Sequence, residues 1–242
     1  KNALIIFPSP FKQEKKLGVE FHKIEDGFFN KDRVNIPEAS VVAQEAVYFM
    51  MENAGLPEEQ RRSLGIVTIN QSQREILDEE ITRQIYREPL AQEYIQFWEN
   101  SLEPFFVKNL ENVQGDERDT IFISMVYGKN ETGKVLQRFG PINSKSGHRR
   151  LNVLFTRAKE RVAVFSSMDP ADVMPLETSN RGVTILKEYL EYSISGNIEI
   201  GQTSERDPDS EFEIFVADAL RHHGYKVNYQ IGVAGFFIDI GV

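Results

Sequence analysis

GHRRLNVLFTRAKERVAVFSS, Gly147–Ser167, is the stretch on which the fold turns. Leu151, Leu154, Phe155 and Ala158 recur at helical spacing and Arg161–Phe165 is a short apolar run, so the stretch predicts a basic helix passing directly into a buried strand. Between Lys145 and Arg161 six Lys/Arg face one acid, Glu160, in a chain of formal net charge −9. So much local positive charge requires an anionic partner or a structural reason. Arg150 and Arg157, seven residues apart, fall on one side of the expected helix, and a guanidinium fork held there suits bidentate contact with phosphate. An amphipathic helix with solvated charges fits the same pattern.

Outward from this stretch, the composition bounds the possibilities. A 242-residue chain with 40% hydrophobic residues and 17 Phe can bury a substantial core in one or two domains. It has no cysteine, which excludes disulfides, thiol nucleophiles and Cys-type zinc sites, and its 4 His show no ligand spacing. No apolar run has the length of a membrane span and the amino terminus is not signal-like, so no membrane partner and a cytoplasmic location are the default expectations. The opening on Lys1 and the end at Val242 inside an apolar run suggest a piece of a longer protein. The acidic balance argues against a generally sticky nucleic-acid binder but leaves room for a local basic groove.

Strand and helix patterns alternate along the chain. Strands are expected at Asn2–Phe7, Gly18–Ile24, Leu64–Ile69, Phe105–Lys108 and Thr120–Tyr127. Asn35 with Pro37 and Glu38 starts a helix that Gly55 stops, Asn70 caps a second helix, and Leu90–Asn100 forms a third, with Phe97 and Trp98 in the core. Val183–Ser193 forms a further helix. Such alternation points to an α/β domain of three layers around a mainly parallel sheet. The loop Asn112–Asp119 is unusually polar: Gly115 permits close backbone approach, and Gln114, Glu117 and Asp119 offer acceptors for sugar hydroxyls at the carboxyl edge of the sheet, though a plain surface turn accounts for it equally.

GKNETGKV, Gly128–Val135, imitates a phosphate-binding loop. Val135 stands where a magnesium-binding hydroxyl belongs, and VLQRF alternates like a strand, so a hairpin tip is expected there. Residues 194–209 read as a linker. Beyond them a helix over Glu211–Gly224 and two strands, KVNYQIGV and FFIDIGV, open a second small α/β unit, residues 210–242. Asp239, between Ile238 and Ile240, is a costly place for a charge unless a metal or hydrogen bonds answer it.

Three segments in this order, GIVTINQSQ (Gly65–Gln73), ENVQGDERDTIFIS (Glu111–Ser124) and RRLNVLFTRAKERVAVFSS (Arg149–Ser167), resemble the second RecA-like domain of superfamily 1 helicases, in the Upf1-like branch. The resemblance spans about residues 1–193. It implies that Arg157 is an arginine finger for the γ-phosphate of ATP with Mg²⁺, held by an amino-terminal RecA-like domain. It also implies that Glu117, within the loop of Gln114 and Gly115, approaches the nucleotide sugar, and that Gln73 lies toward the nucleotide; Arg150 has no role assigned. Nucleic acid, DNA by preference, is the implied partner. The tail resembles the start of a very-short-patch-repair-like domain of the PD-(D/E)XK endonuclease superfamily. That match implies Asp239 as a Mg²⁺-binding acid, with Glu213 as its helper. The expectation is a carboxy-terminal fragment of an ATP-dependent helicase, inactive as the isolated chain. The alternatives are a non-motor binding module and a nuclease whose helicase-like part only positions DNA.

Overall fold

Five strands, β1 (Gly18–Lys23), β2 (Leu64–Thr68), β3 (Phe106–Asn109), β4 (Arg118–Ser124) and β5 (Ala158–Ser166), form one parallel sheet in the order β1-β5-β4-β2-β3. The structure, a computed structural model, describes residues 18–176, 180–195, 210–225, 227–233 and 236–241, with backbone alone over 228–241. The strand expected at Asn2–Phe7 and nearly all of the linker lie outside the described residues.

The apolar runs of the strands are continuous because both faces of the sheet are covered. Leu64, Ile66, Phe122, Ala163 and Phe165 face a core made with α1 (Ile36–Ala54), α2 (Gln71–Ile85) and α3 (Pro89–Glu99). Val67, Ile121, Ile123, Val162 and Val164 face a second core made with α4 (Gly147–Phe155), α5 (Arg181–Ser195) and the crossing segment that carries Leu110 and Val113. This is the three-layer α/β architecture of a RecA-like domain. Phe97 and Trp98 are half-buried, with Trp98 against the first core and the Arg61 guanidinium 4.7 Å above the Phe97 ring.

Side-chain caps set the helix starts. The Asn35 carbonyl oxygen accepts from the Glu38 amide at 3.2 Å, and that of Asn70 accepts from the Gln73 amide at 2.8 Å. The helix predicted through Arg157, in contrast, stops at Phe155. The Thr156 hydroxyl donates to the carbonyls of Asn152 and Val153 at 3.0 and 3.1 Å, taking over bonds that further helical amides would make. The Arg157 amide still reaches the Leu154 carbonyl at 3.2 Å, but the Arg157 carbonyl accepts from the Arg118 amide of β4 at 3.1 Å, and sheet pairing begins.

The hairpin expected at Gly128–Val135 forms. Lys129 pairs with Val135, and the Asn130 side-chain oxygen Oδ1 accepts from the amides of Thr132 and Lys134, closing the turn through Gly133 at φ +72°. The alternation of VLQRF yields no strand beyond the bridge at Val135. In the tail, α6 (Glu211–His222) is followed by an antiparallel pair, β6 (Asn228–Val233) and β7 (Phe236–Gly241). Leu17–Gly196 is one compact unit and Asn197–Val242 belongs to another. Among the described residues no helix is long and apolar enough to cross a membrane.

Candidate functional site

Parallel pairing places the amino ends of β4 and β5 side by side, with Arg118 opposite Ala158. The residue before each strand is therefore delivered to the same place: Glu117 ahead of β4 and Arg157 ahead of β5, with Arg157 Nη1 3.7 Å from Glu117 Oε1. The polar loop thus meets its partner at the amino edge of the sheet, not at the carboxyl edge where open α/β folds usually bind ligands. The reason is connectivity: the segment leaves β3 at the carboxyl edge and crosses back to start the parallel strand β4, so its last residues, Glu117 among them, lie at the amino edge.

Arg157 sits in the turn between α4 and β5, yet it is firmly held. Its Nε donates to the Val153 carbonyl at 2.9 Å and its Nη2 to the Thr156 hydroxyl at 3.2 Å. Its side chain is 16% exposed, whereas that of Glu117 is 56% exposed and, among the described residues, makes no hydrogen bond or ion pair besides this distant one. Such a guanidinium is preorganised and only loosely neutralised. One helix away, Arg150 Nη2 lies 3.5 Å from Glu111 Oε1, and Nη1 donates to the Pro141 carbonyl and the Ser144 hydroxyl at 3.3 and 3.1 Å. Arg150 and Arg157 therefore pair with the two ends of the Glu111–Glu117 loop and hold it beside α4.

The remaining loop residues divide. Gln114 and Gly115 are exposed, and Gly115, at φ +91°, has nothing within 4 Å of the position a Cβ would take. A ligand can approach that backbone closely. Asp119 is a fastener instead of a sugar-binding acceptor: its Oδ2 accepts from the Ser63 amide at 2.9 Å and from the Ser63 hydroxyl at 3.0 Å, tying β4 to the start of β2.

Gln73 does not join this group. It is fully buried at the opposite, carboxyl edge, where its Oε1 accepts from the Asn35 amide at 2.8 Å and its Nε2 donates to the Asn35 carbonyl at 3.0 Å. Both ends of the amide are occupied, because Gln73 lies in the first turn of a helix that leaves β2 at its carboxyl end. It belongs to a buried polar cluster whose centre is Glu38. Glu38 accepts from the Ser124 hydroxyl at 2.6 Å, the Val126 amide at 2.7 Å and the Asn35 side-chain amide at 3.3 Å. Burial dominates over these bonds and pushes the Glu38 carboxyl up to about 7. The cluster also holds Val126 at φ 70°, a conformation that a β-branched residue adopts only under constraint. The Asn35–Glu38 spacing announced a helix cap in the sequence, but nothing there showed that the carboxylate would be enclosed.

In the tail, Ser210 caps α6: its hydroxyl accepts from the Glu213 amide at 3.2 Å and donates to Glu213 Oε1 at 2.9 Å. Asp239 lies in β7, between residues paired with Ile231 and Tyr229, and its side chain is outside the described residues. Among the described residues no group of three or more His, Asp or Glu side chains is placed to hold a metal ion.

A family profile described as an AAA domain matches residues 9–169, more than half of the chain. The chain belongs to this AAA domain family. Two curated relatives extend the comparison. The chain is 30% identical over 220 residues to an uncharacterized ATP-dependent helicase of Mycoplasma genitalium, covering 90% of this chain and 18% of that protein. It is 31% identical over 225 residues to the homologue in Mycoplasma pneumoniae, covering 88% and 19%. This AAA domain therefore spans less than a fifth of the length of the relatives it matches.

Proposed function

We propose that this AAA domain is the second motor domain of an ATP-dependent DNA helicase. It closes on a first RecA-like domain that binds ATP with Mg²⁺, so that Arg157 meets the γ-phosphate while Glu117, Gln114 and Gly115 meet the sugar. The observation that carries the reading is the seating of Arg157: a guanidinium oriented by the Val153 carbonyl and the Thr156 hydroxyl, facing one exposed carboxylate at 3.7 Å. A fixed positive charge costs no reorganisation when negative charge develops on the transferring phosphoryl group. The helicase names of both relatives support the same reading. Glu117 then has two partners in turn: it holds Arg157 in the open domain and releases it to phosphate when the cleft closes.

The test is steady-state ATP hydrolysis by the longer protein that contains this domain. Arg157→Ala lowers the rate by about 10³-fold or more, as removal of an arginine finger does in GTPases, with ATP affinity changed far less. Arg157→Lys restores little, since an ammonium lacks the fork that Val153 and Thr156 orient. Unchanged turnover in Arg157→Ala sinks the proposal and favours a non-motor binding module. For the tail we propose the opening of an endonuclease domain, in which Asp239 binds Mg²⁺ and Glu213 assists; the helix–strand–strand order supports it. Metal-dependent DNA cleavage by the longer protein that persists in Asp239→Asn excludes that part.

A further inference from the structure

Arg118, the first residue of β4, carries a buried charge that the proposed cleft leaves unused. It is 5% exposed, and among the described residues it has no ion-pair partner. An enclosed charge without a counter-ion is costly, so its hydrogen bonds have to answer it. All of them go to backbone carbonyls: Nε and Nη2 donate to the Pro104 carbonyl at 2.9 and 2.5 Å, and Nη1 donates to the Glu117 carbonyl at 2.6 Å. The guanidinium also lies 4.7 Å over the Phe106 ring. That ring has room because Gly65 of β2 is paired beside it, where a Cβ would lie 2.4 Å from the ring.

The main chain of the same residue grips the other half of the site. The Arg118 amide donates to the Arg157 carbonyl at 3.1 Å. Just beyond, the ladder slips: Arg118 pairs with Ala158 but Thr120 with Arg161, so β5 carries one residue more than β4. A bulge is rare between parallel strands, and it uncouples the residues ahead of it from the regular register that follows. The placing of Arg157 against Glu117 is therefore not inherited from the ladder alone. It passes through one residue, whose amide meets Arg157 and whose guanidinium meets Glu117 while anchored on Pro104. A planar fork can serve both carbonyls at once, whereas an ammonium cannot.

We infer that Arg118 is a positioning residue: it fixes the separation of Arg157 and Glu117, and with it the point at which the Arg157 guanidinium meets phosphate. In the motor proposed above, on which this role rests, those two residues face ATP.

The experiment is a double-mutant cycle in steady-state ATP hydrolysis by the longer protein, with circular dichroism to verify folding. Arg118→Met fills the space over Phe106 without a donor. It is expected to lower kcat by about 10- to 100-fold, the scale on which a misplacement of about 1 Å is felt, with KM changed far less. In the Arg157→Ala background the same substitution is expected to change kcat by less than about twofold, since no guanidinium is left to place. Arg118→Lys keeps the charge but not the fork and is expected to lose most of the same factor; it carries the cycle if Arg118→Met does not fold. Parental kcat in the Arg118 variants overturns the assignment, and so does an equal loss in both backgrounds, which a merely structural role produces. The motor proposal fails separately, by parental turnover in Arg157→Ala with Arg118 intact.

Discussion

At the scale of single residues, charge placement divides the domain into two ends. At the amino edge, Arg157 is one loose contact away from release, and its effect belongs to turnover. At the carboxyl edge, Glu38 is enclosed, and its effect belongs to stability. Among the described residues no Lys, Arg or His contacts its carboxyl group; Asn35, Ser124, Ser167 and the Val126 amide surround it. Burial raises its carboxyl from the usual 4.5 to about 7, so the folded state binds the proton more tightly. The stabilisation is complete below pH 4.5 and is lost as pH rises through 7; at about 1.4 kcal/mol per unit the change is on the order of 3 kcal/mol. Urea midpoints measured between pH 5 and 7.5 should therefore fall with rising pH, and Glu38→Gln should remove that dependence whatever its effect on the absolute midpoint. A slope equal to the parent's assigns the pH dependence to another group.

At the scale of elements, close approaches fix how the helices sit. A Cβ on Gly147 would lie 1.9 Å from the Ile142 carbonyl oxygen, and one on Gly182 would lie 2.3 Å from the same atom. The first turns of α4 and α5 thus converge on one carbonyl, and the obstacle is backbone that cannot rotate aside. Gly147→Ala should destabilise the domain by about 1–3 kcal/mol, the usual range for overpacking, read as a lower urea midpoint with an unchanged m-value. A midpoint within error of the parent's would show that α4 can shift away from Ile142. Because α4 leads into Arg157, a shift of this helix also moves the guanidinium. Gly147→Ala in the longer protein should accordingly lower ATP turnover more than ATP affinity.

At the scale of the whole molecule, the proposed motor gives this domain one wall of a nucleotide cleft. Its GKNETGKV segment closes as a hairpin and makes no phosphate-binding loop. The purified chain is accordingly expected to hydrolyse no ATP, and a steady-state ATPase assay that finds activity abolished by Arg157→Ala would falsify this. In the proposed motor the amino edge, with Arg157 and Glu117, answers ATP.

Local pattern determined much of this protein by itself. Continuous apolar runs specified strands covered on both faces, Asn35 and Asn70 specified helix starts, and Val135 with the following alternation marked the false phosphate loop, because each signal is read within a few residues of chain. The adjacency of Arg157 and Glu117 was legible only through the resemblance, since they are far apart in sequence and meet through strand register. Tertiary structure alone decided the rest. It ended α4 before Arg157, because the Arg157 carbonyl pairs with the Arg118 amide of a distant strand. It moved the polar loop to the amino edge and Gln73 to the carboxyl edge, since edge is a property of strand direction within the assembled sheet. It also enclosed Glu38, whose burial comes from β4, β5 and α2 closing around the cap of α1, a desolvation that no single segment of the sequence carries.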